Sequence, residues 1–229
     1  MKRLSDPLFL LGTAAVAFGL VWTLRGVLWG TPLDFLLYFN QKIFYWHVPH
    51  AILLFVAVFV CGIASAGYLK NRKGGWDDVA LAAGEISAFY GAIVLLTGSM
   101  WGHAAWDKWW VWDMRLTTSL LLWLIMVGYV IVRRFGGAGS ERLAAGLAVF
   151  GMVDVPLIYF SVKIWNTLHP PANVVANTDS AMKPTFYFSL LTFAVFFMLL
   201  LLARVQSARA ERELRELREA GLDAGLLED

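Results

Sequence analysis

The sequence predicts an all-α polytopic membrane protein, a bundle of six transmembrane helices. Of its 229 residues, 59% are hydrophobic and 16% are charged, whereas about 25% of the residues in a typical soluble domain are charged. The apolar residues also form six runs that are long enough to cross a bilayer, which takes about 20 residues. The net charge of +2 is too small to indicate a nucleic-acid partner.

The six predicted spans are separated by short polar connections. They cover Leu8 to Trp29, Val48 to Leu69, Val79 to Met100, Leu116 to Val132, Leu143 to Val162 and Pro184 to Ala203. The first run resembles a signal peptide, but no small-residue cleavage pattern follows Trp29, so we interpret it as a retained span. The single cysteine, Cys61, lies in an apolar run, which excludes an intrachain disulfide and a CxxC redox site.

The lysines and arginines between the spans predict the orientation of the protein. Thirteen of them, including Lys2 and Arg3, lie on the side that holds both termini, and six lie on the other side. Basic residues accumulate on the cytoplasmic side, so both termini are predicted to be cytoplasmic. Residues 1–203 then form a single membrane domain, and residues 204–229 form a cytoplasmic tail. Opposite charges four residues apart, such as Glu211 and Arg215, predict that this tail is helical.

A tryptophan-rich loop, residues 100–115, connects the third and fourth spans on the predicted outer side. Five tryptophans lie within twelve residues, interrupted by charged side chains; they are Trp101, Trp106, Trp109, Trp110 and Trp112. Indole rings favour the boundary between lipid and water, because their bodies are apolar and their N–H groups need a partner. An aromatic belt explains one or two such rings, but it does not explain five beside a charged cluster. The loop is therefore a candidate functional site.

All four histidines lie in or beside the connections of this outer side. They are His47, His50, His103 and His169. A lone histidine at a membrane surface is most simply an interfacial residue. Two histidines that share one face of the membrane with aromatic rings favour a haem site, because neutral imidazole is a common axial ligand of haem iron. His47 and His50 are three residues apart on one helical face, so spacing alone does not choose between them.

Two carboxylates lie within the predicted spans, where acidic groups are costly and are functional candidates by default. Glu85 is close enough to the end of its span to reach the cytoplasmic interface, and Asp154 precedes Pro156 by two residues. A proton path would need a longer chain of such groups. We therefore expect structural hydrogen bonds from both, with Asp154 binding backbone groups that the proline frees.

Several motifs resemble those of one family. The run from Trp106 to Thr117 reads WDKWWVWDMRLT and resembles the WWD signature of haem-handling membrane proteins, WGxWWxWDxRLT. The motifs YWHVPH, TGSMWG and VPLIYFSVKIWNTLHP, which begin at Tyr45, Thr97 and Val155, occur in the order typical of the haem exporter protein C (CcmC) family of cytochrome c maturation. The resemblance covers the second span through the loop after the fifth, which is more than half of the chain.

This resemblance implies a ligand, a site and a set of partners. His47 and His169 correspond to the two axial ligands of haem b, and the tryptophan loop corresponds to the segment that presents haem to the periplasmic haem chaperone CcmE. The haem-contacting residues predicted in this stretch are Trp101, Trp106, Trp109, Trp110, Trp112, Asp113 and Arg115. The other implied partners are the ABC transporter subunits CcmA and CcmB, the small single-span protein CcmD and the lipid of the bacterial plasma membrane.

Two residues depart from the family pattern. Asp107 replaces the usual glycine, which leaves the conformation of that turn open, because aspartate tolerates a positive φ less well. Asp154 lies where a neutral asparagine is expected, which leaves its protonation state open. Neither residue is a predicted ligand.

The predicted function is to hold haem and pass it to the chaperone, without bond-forming catalysis by this chain alone. A haem–cytochrome c lyase component is one alternative, since such enzymes share the WWD loop. They usually carry further histidines within spans, and this sequence has no histidine in the middle of a span. An ABC-type haem transport permease subunit is the other alternative. It would need a polar path through the bilayer, which Glu85 and Asp154 alone provide poorly.

Overall fold

The computed structural model describes residues 6–137, 139–170 and 174–226, which are predominantly helical. Lys2 and Arg3, which contributed to the predicted orientation, and residues 227–229 of the predicted tail lie outside these ranges. The helices are α1 (Pro7–Trp29), a short 3-10 helix (Phe39–Ile43), α2 (Phe44–Asn71), α3 (Gly74–Trp106), α4 (Met114–Phe135), α5 (Ser140–Ile164), α6 (Val174–Asn177) and α7 (Lys183–Asp223). Six of them are long and apolar enough to span a membrane, which confirms the predicted fold class.

The predicted start of the tryptophan-rich loop is wrong. The third span was expected to end at Met100, but α3 continues to Trp106, so that Trp101 and His103 are helical. Nothing in residues 100–106 breaks a helix strongly, because a single glycine inside a helix costs only about 1 kcal/mol. The non-helical part of the loop is limited to residues 107–113.

The core of the bundle is centred on α2, which packs against α3, α5 and α7. Its buried face carries Leu54, Ala57, Val58 and Cys61, and these side chains meet buried residues of the neighbouring helices, namely Tyr90, Leu122, Met126, Val155, Ile158, Phe193 and Phe197. The α4 helix closes the bundle by packing on α3 and α5. The start of α2, which carries two of the histidines, is therefore held by a packed core.

The first helix packs mainly on α7 through glycines spaced seven residues apart. Gly12, Gly19 and Gly26 lie against Leu199, Thr192 and Thr185, which are also seven apart and run in the opposite order. A Cβ atom added to Gly19 would lie 2.8 Å from Thr192 Oγ1. Small residues in such a repeat let two antiparallel membrane helices approach closely. Hydropathy alone did not reveal this repeat.

Ion pairs tie α3, α4 and α7 together at the end of the bundle where α7 leaves the core. Glu85 accepts hydrogen bonds from Arg134 Nε at 3.0 Å and from Arg204 Nη2 at 3.3 Å. Arg212 adds two hydrogen bonds to Asp78, at 3.0 and 3.1 Å. The structural role expected for Glu85 is confirmed. These pairs hold the part of α7 beyond Ala203, which continues as helix to Asp223.

The structure differs from the expectation of a structural hydrogen bond from the Asp154 carboxylate. Its side chain is buried, and Oδ2 has no hydrogen-bond partner among the described residues. The hydrogen bond expected from Asp154 to backbone groups near Pro156 is therefore not formed by Oδ2. Although Pro156 lies inside α5, the helix runs on to Ile164.

Because α1 and α7 approach closely, a larger side chain at their contact should destabilise the protein more than a larger side chain elsewhere. We expect Gly19→Leu to lower the free energy of unfolding by about 1–3 kcal/mol, because the new side chain must displace Thr192. Gly146→Leu is the matched control, since an added Cβ atom there meets nothing within 4 Å, and it should not lower the free energy of unfolding, because glycine inside a helix costs about 1 kcal/mol. Thermal unfolding in detergent measures both. Equal losses in the two variants would contradict the tight α1–α7 contact.

Candidate functional site

A cavity of about 140 Å³ lies where the starts of α2 and α4, the end of α3 and the segment after α5 meet. Both predicted ligands, His47 and His169, line it. Its wall also contains four of the seven residues predicted to contact haem, namely Trp101, Trp106, Trp110 and Arg115. The structure thus brings together side chains that are more than one hundred positions apart in the sequence.

The imidazole of His47, in the first turn of α2, is oriented by a threonine of α3. His47 Nδ1 lies 3.0 Å from Thr97 Oγ1, and the Thr97 hydroxyl donates to the carbonyl of Ile93 at 2.7 Å. A hydroxyl has one proton to donate, so Thr97 accepts the bond from His47 Nδ1–H. This tautomer leaves a lone pair on Nε2. The neighbouring Gly98 leaves room for the ring, because a Cβ atom there would lie 3.0 Å from His47 Cε1.

His169 reaches the cavity from the non-helical segment that follows α5. Its Nδ1–H donates to the carbonyl of Pro170 at 2.8 Å, so Nε2 again keeps its lone pair. Burial, together with the nearby positive charge of Arg115, lowers the pKa of His169 to about 4. The ring is therefore neutral at physiological pH, and neutral imidazole is the form that binds metal.

The other two histidines do not line this cavity. His50 packs its ring against Tyr90 and Phe193, with centroid distances of 5.1 and 4.5 Å. His103 stacks on Trp109 at 4.3 Å, on the outside of the structure. Spacing did not choose between His47 and His50, but only His47 faces the cavity.

The five tryptophans fall into two groups. The inward group, Trp101, Trp106 and Trp110, lines the cavity, and Trp101 Nε1 donates to Gln41 Oε1 at 3.3 Å. The Nε1–H of Trp110 is buried and has no hydrogen-bond partner among the described residues. A buried donor without a partner is costly. The outward group, Trp109 and Trp112, is 60% and 75% exposed.

Asp113 is also absent from the cavity wall. It is the N-cap residue of α4, where Oδ1 accepts from the backbone N–H of Leu116 at 2.8 Å. Its other oxygen, Oδ2, accepts from the hydroxyl of Thr167. Thr167 Oγ1 in turn accepts from the backbone N–H of His169 at 3.1 Å. Asp113 is therefore linked through Thr167 to the backbone of His169.

Arg115 lies in the first turn of α4 and does reach the cavity. Its Nη1 donates to the carbonyl of Ile158 on α5 at 2.9 Å, which fixes the guanidinium in place. A guanidinium beside an apolar cavity suits a carboxylate ligand, because charge-assisted hydrogen bonds are among the stronger polar contacts.

A family model described as "Heme exporter protein C" matches residues 1–221. The chain belongs to this family. A "Heme exporter protein C" of Bradyrhizobium diazoefficiens is 39% identical over 77% of this chain and 69% of its own length. That of Escherichia coli K12 is 34% identical over 84% of this chain and 81% of its own. A "Putative cytochrome c biosynthesis ccmC-like mitochondrial protein" of Marchantia polymorpha is 31% identical over 81% of this chain and 82% of its own.

Family membership and the six apolar helices give the broad function. The protein is a multi-pass membrane protein of the haem-exporter family, whose members handle haem in cytochrome c maturation. Sequence reasoning named the two histidines and three tryptophans that line the cavity but missed Thr97 and Thr167. Both threonines lie inside motifs that carried the resemblance, TGSMWG and WNTLHP, so a signal was present.

Asp107 ends α3 in the left-handed conformation, with φ of 57°. Glycine adopts this conformation without strain at helix ends, and aspartate does so at some cost. We expect Asp107→Gly to raise the free energy of unfolding by about 0.5 kcal/mol, as the strain relieved exceeds the backbone entropy that glycine loses. Asp107→Ala should lower it, since alanine tolerates this φ less well. Thermal unfolding of both variants tests this; a loss of stability in Asp107→Gly would be the contrary result.

Proposed function

We propose that the protein holds haem b between His47 and His169 at the outer face of the bacterial plasma membrane. The main support is that the two imidazoles line one cavity, each with Nδ1 in a hydrogen bond and Nε2 carrying a lone pair. Imidazole nitrogen is a common axial ligand of haem iron. Two such ligands would fill both axial positions and would suppress oxygen chemistry while the haem is held.

The rest of the cavity wall suits the other parts of a haem. The inward tryptophans offer flat apolar rings to a flat macrocycle. The guanidinium of Arg115 can bind the propionates, which are anionic acceptors. Together these groups match the three chemical parts of haem b, which are its iron, its flat macrocycle and its propionate carboxylates.

The small size of the cavity supports a role in handover. Its volume of about 140 Å³ is below the roughly 300–1,000 Å³ of typical ligand pockets. Part of the macrocycle would therefore extend beyond the cavity, where a second protein can reach it. We propose that this second protein is the periplasmic haem chaperone CcmE, and that handover requires at least one iron–histidine bond to break.

The distribution of basic residues supports an orientation with both termini in the cytoplasm. In this orientation residues 1–203 form the membrane domain, the cavity faces outward, and residues 204–229 form a cytoplasmic tail. We propose that the protein works with the ABC transporter subunits CcmA and CcmB and the small single-span protein CcmD, in contact with membrane lipid. ATP hydrolysis belongs to the ATPase in this proposal, and this chain carries out no bond-forming catalysis.

The absorption spectrum of the purified protein supplied with haem tests the ligand pair. The wild-type protein should show a low-spin spectrum typical of two imidazole ligands. His47→Ala and His169→Ala should each lose haem or give a high-spin spectrum, since one axial position would be empty. His50→Ala, whose ring lies outside the cavity, is the control and should keep the low-spin spectrum. An unchanged spectrum in both ligand variants would refute the assignment.

The two tryptophan groups predict different effects on haem retention. Trp110→Phe makes an aromatic ring of the cavity wall smaller, and we expect haem to dissociate about tenfold faster, because about 1.4 kcal/mol of apolar contact is lost. Trp112→Phe is the matched control on the exposed side and should change the rate less than about twofold, as expected for a surface substitution. Haem transfer to an excess of an apoprotein acceptor measures both rates. Equal rates in the two variants would count against an inward role for Trp110.

A further inference from the structure

We propose that Asp113 and Thr167 act together as positioning residues for His169. In this proposal the aspartate of the tryptophan motif does not contact haem; it holds the segment that carries the iron ligand. The inference rests on the proposed function, because it takes His169 to be a ligand. It assigns to Asp113 a role other than the haem contact that the family resemblance implied.

The hydrogen bonds between these residues have a fixed direction. The Thr167 hydroxyl donates its single proton to Asp113 Oδ2, and its oxygen accepts from the backbone N–H of His169 at 3.1 Å. A backbone N–H only donates, and an ionised carboxylate only accepts. Thr167 is therefore the one group of the three that can join them, since it has both a proton and lone pairs.

The carboxylate is itself held on a rigid element. Asp113 Oδ1 caps the first turn of α4 through the backbone N–H of Leu116 at 2.8 Å, and α4 packs along α3 and α5. His169, in contrast, lies on a segment without helical structure, residues 165–170. A loop of this kind keeps a defined geometry only where side chains hold it. The hydrogen bonds from Asp113 through Thr167 to the backbone N–H of His169 form a tether, which fixes the position of the His169 backbone relative to α4.

A direct contact between Asp113 and haem is disfavoured on three grounds. Both carboxylate oxygens already accept hydrogen bonds from within the protein, and the residue does not line the cavity. The carboxylate would also repel the haem propionates, which carry the same charge. Arg115, two residues further along, lines the cavity and has the opposite charge. The motif therefore places a positioning residue and a propionate-binding residue side by side.

Two substitutions at Thr167 separate the tether from the helix cap. Thr167→Val keeps the shape of the side chain, removes both hydrogen bonds and leaves the Asp113 cap intact. We expect it to convert the low-spin haem spectrum to high-spin, as His169→Ala does, and we expect added imidazole to restore the low-spin form. Thr167→Ser keeps the hydroxyl and should retain the wild-type spectrum. A wild-type spectrum in Thr167→Val would overturn the proposal.

A double-mutant cycle decides whether Asp113 acts through Thr167. Asp113→Ala should convert the spectrum as Thr167→Val does, and combining the two should cause no further loss of low-spin haem. Asp113→Asn keeps the helix cap through Oδ1, so the difference between the Asn and Ala variants shows how much of the effect comes from the cap. If Asp113→Ala lowers haem binding in a way that imidazole does not restore, while Thr167→Val has no effect, Asp113 contacts haem and the proposal is wrong.

Hydrogen exchange in the haem-free protein tests the tether independently of haem. Thr167→Val should speed exchange of the backbone N–H of His169 roughly fivefold to tenfold, because its acceptor is lost. Unchanged exchange overturns the positioning proposal, whatever the haem spectra show. If exchange is faster in Thr167→Val but the wild-type protein binds no haem at all, the tether is retained and the proposed function is refuted.

Discussion

The site depends on the hydrogen bonds that the Nδ1–H groups of His47 and His169 donate. They place the ring proton on Nδ1 in both residues, which leaves a lone pair on each Nε2, and both residues line one cavity. The larger structure keeps these bonds in place. The packed core fixes α2 against α3, so that His47 meets Thr97. The N-terminal end of α4 holds the segment of His169 through Asp113 and Thr167.

Much of the fold could be predicted from the sequence, because length and hydropathy determine which segments can cross a bilayer. All six spans were identified, and His47 and His169 line the same cavity. The boundary at Met100 was wrong because tryptophan and histidine are compatible with a helix, so that polarity there did not mark the end of α3. The ion pairs of Glu85 depend on the relative rotation of three helices, which hydropathy does not specify.

The division of the tryptophans could not be predicted for a related reason. Residues 107–113 are not helical, so no periodicity tells which ring of Trp109, Trp110 and Trp112 points inward. In the folded chain Trp110 lines the cavity, whereas Trp109 and Trp112 are exposed, between a left-handed turn at Asp107 and a helix cap at Asp113. The alternative of a haem permease finds little support, because Glu85 is engaged in ion pairs and Asp154 Oδ2 has no hydrogen-bond partner among the described residues.

The most direct test of the account is to detect the iron-bound nitrogens. Ferric haem bound to protein in which only the Nε2 atoms of histidine carry ¹⁵N can be examined by electron–nuclear double resonance. The account predicts a low-spin signal with strong ¹⁵N coupling from two histidines, and the loss of one coupling in each of His47→Ala and His169→Ala. Strong coupling from fewer than two histidines in the wild-type protein, or coupling that both variants retain, would contradict the shared cavity as the haem site.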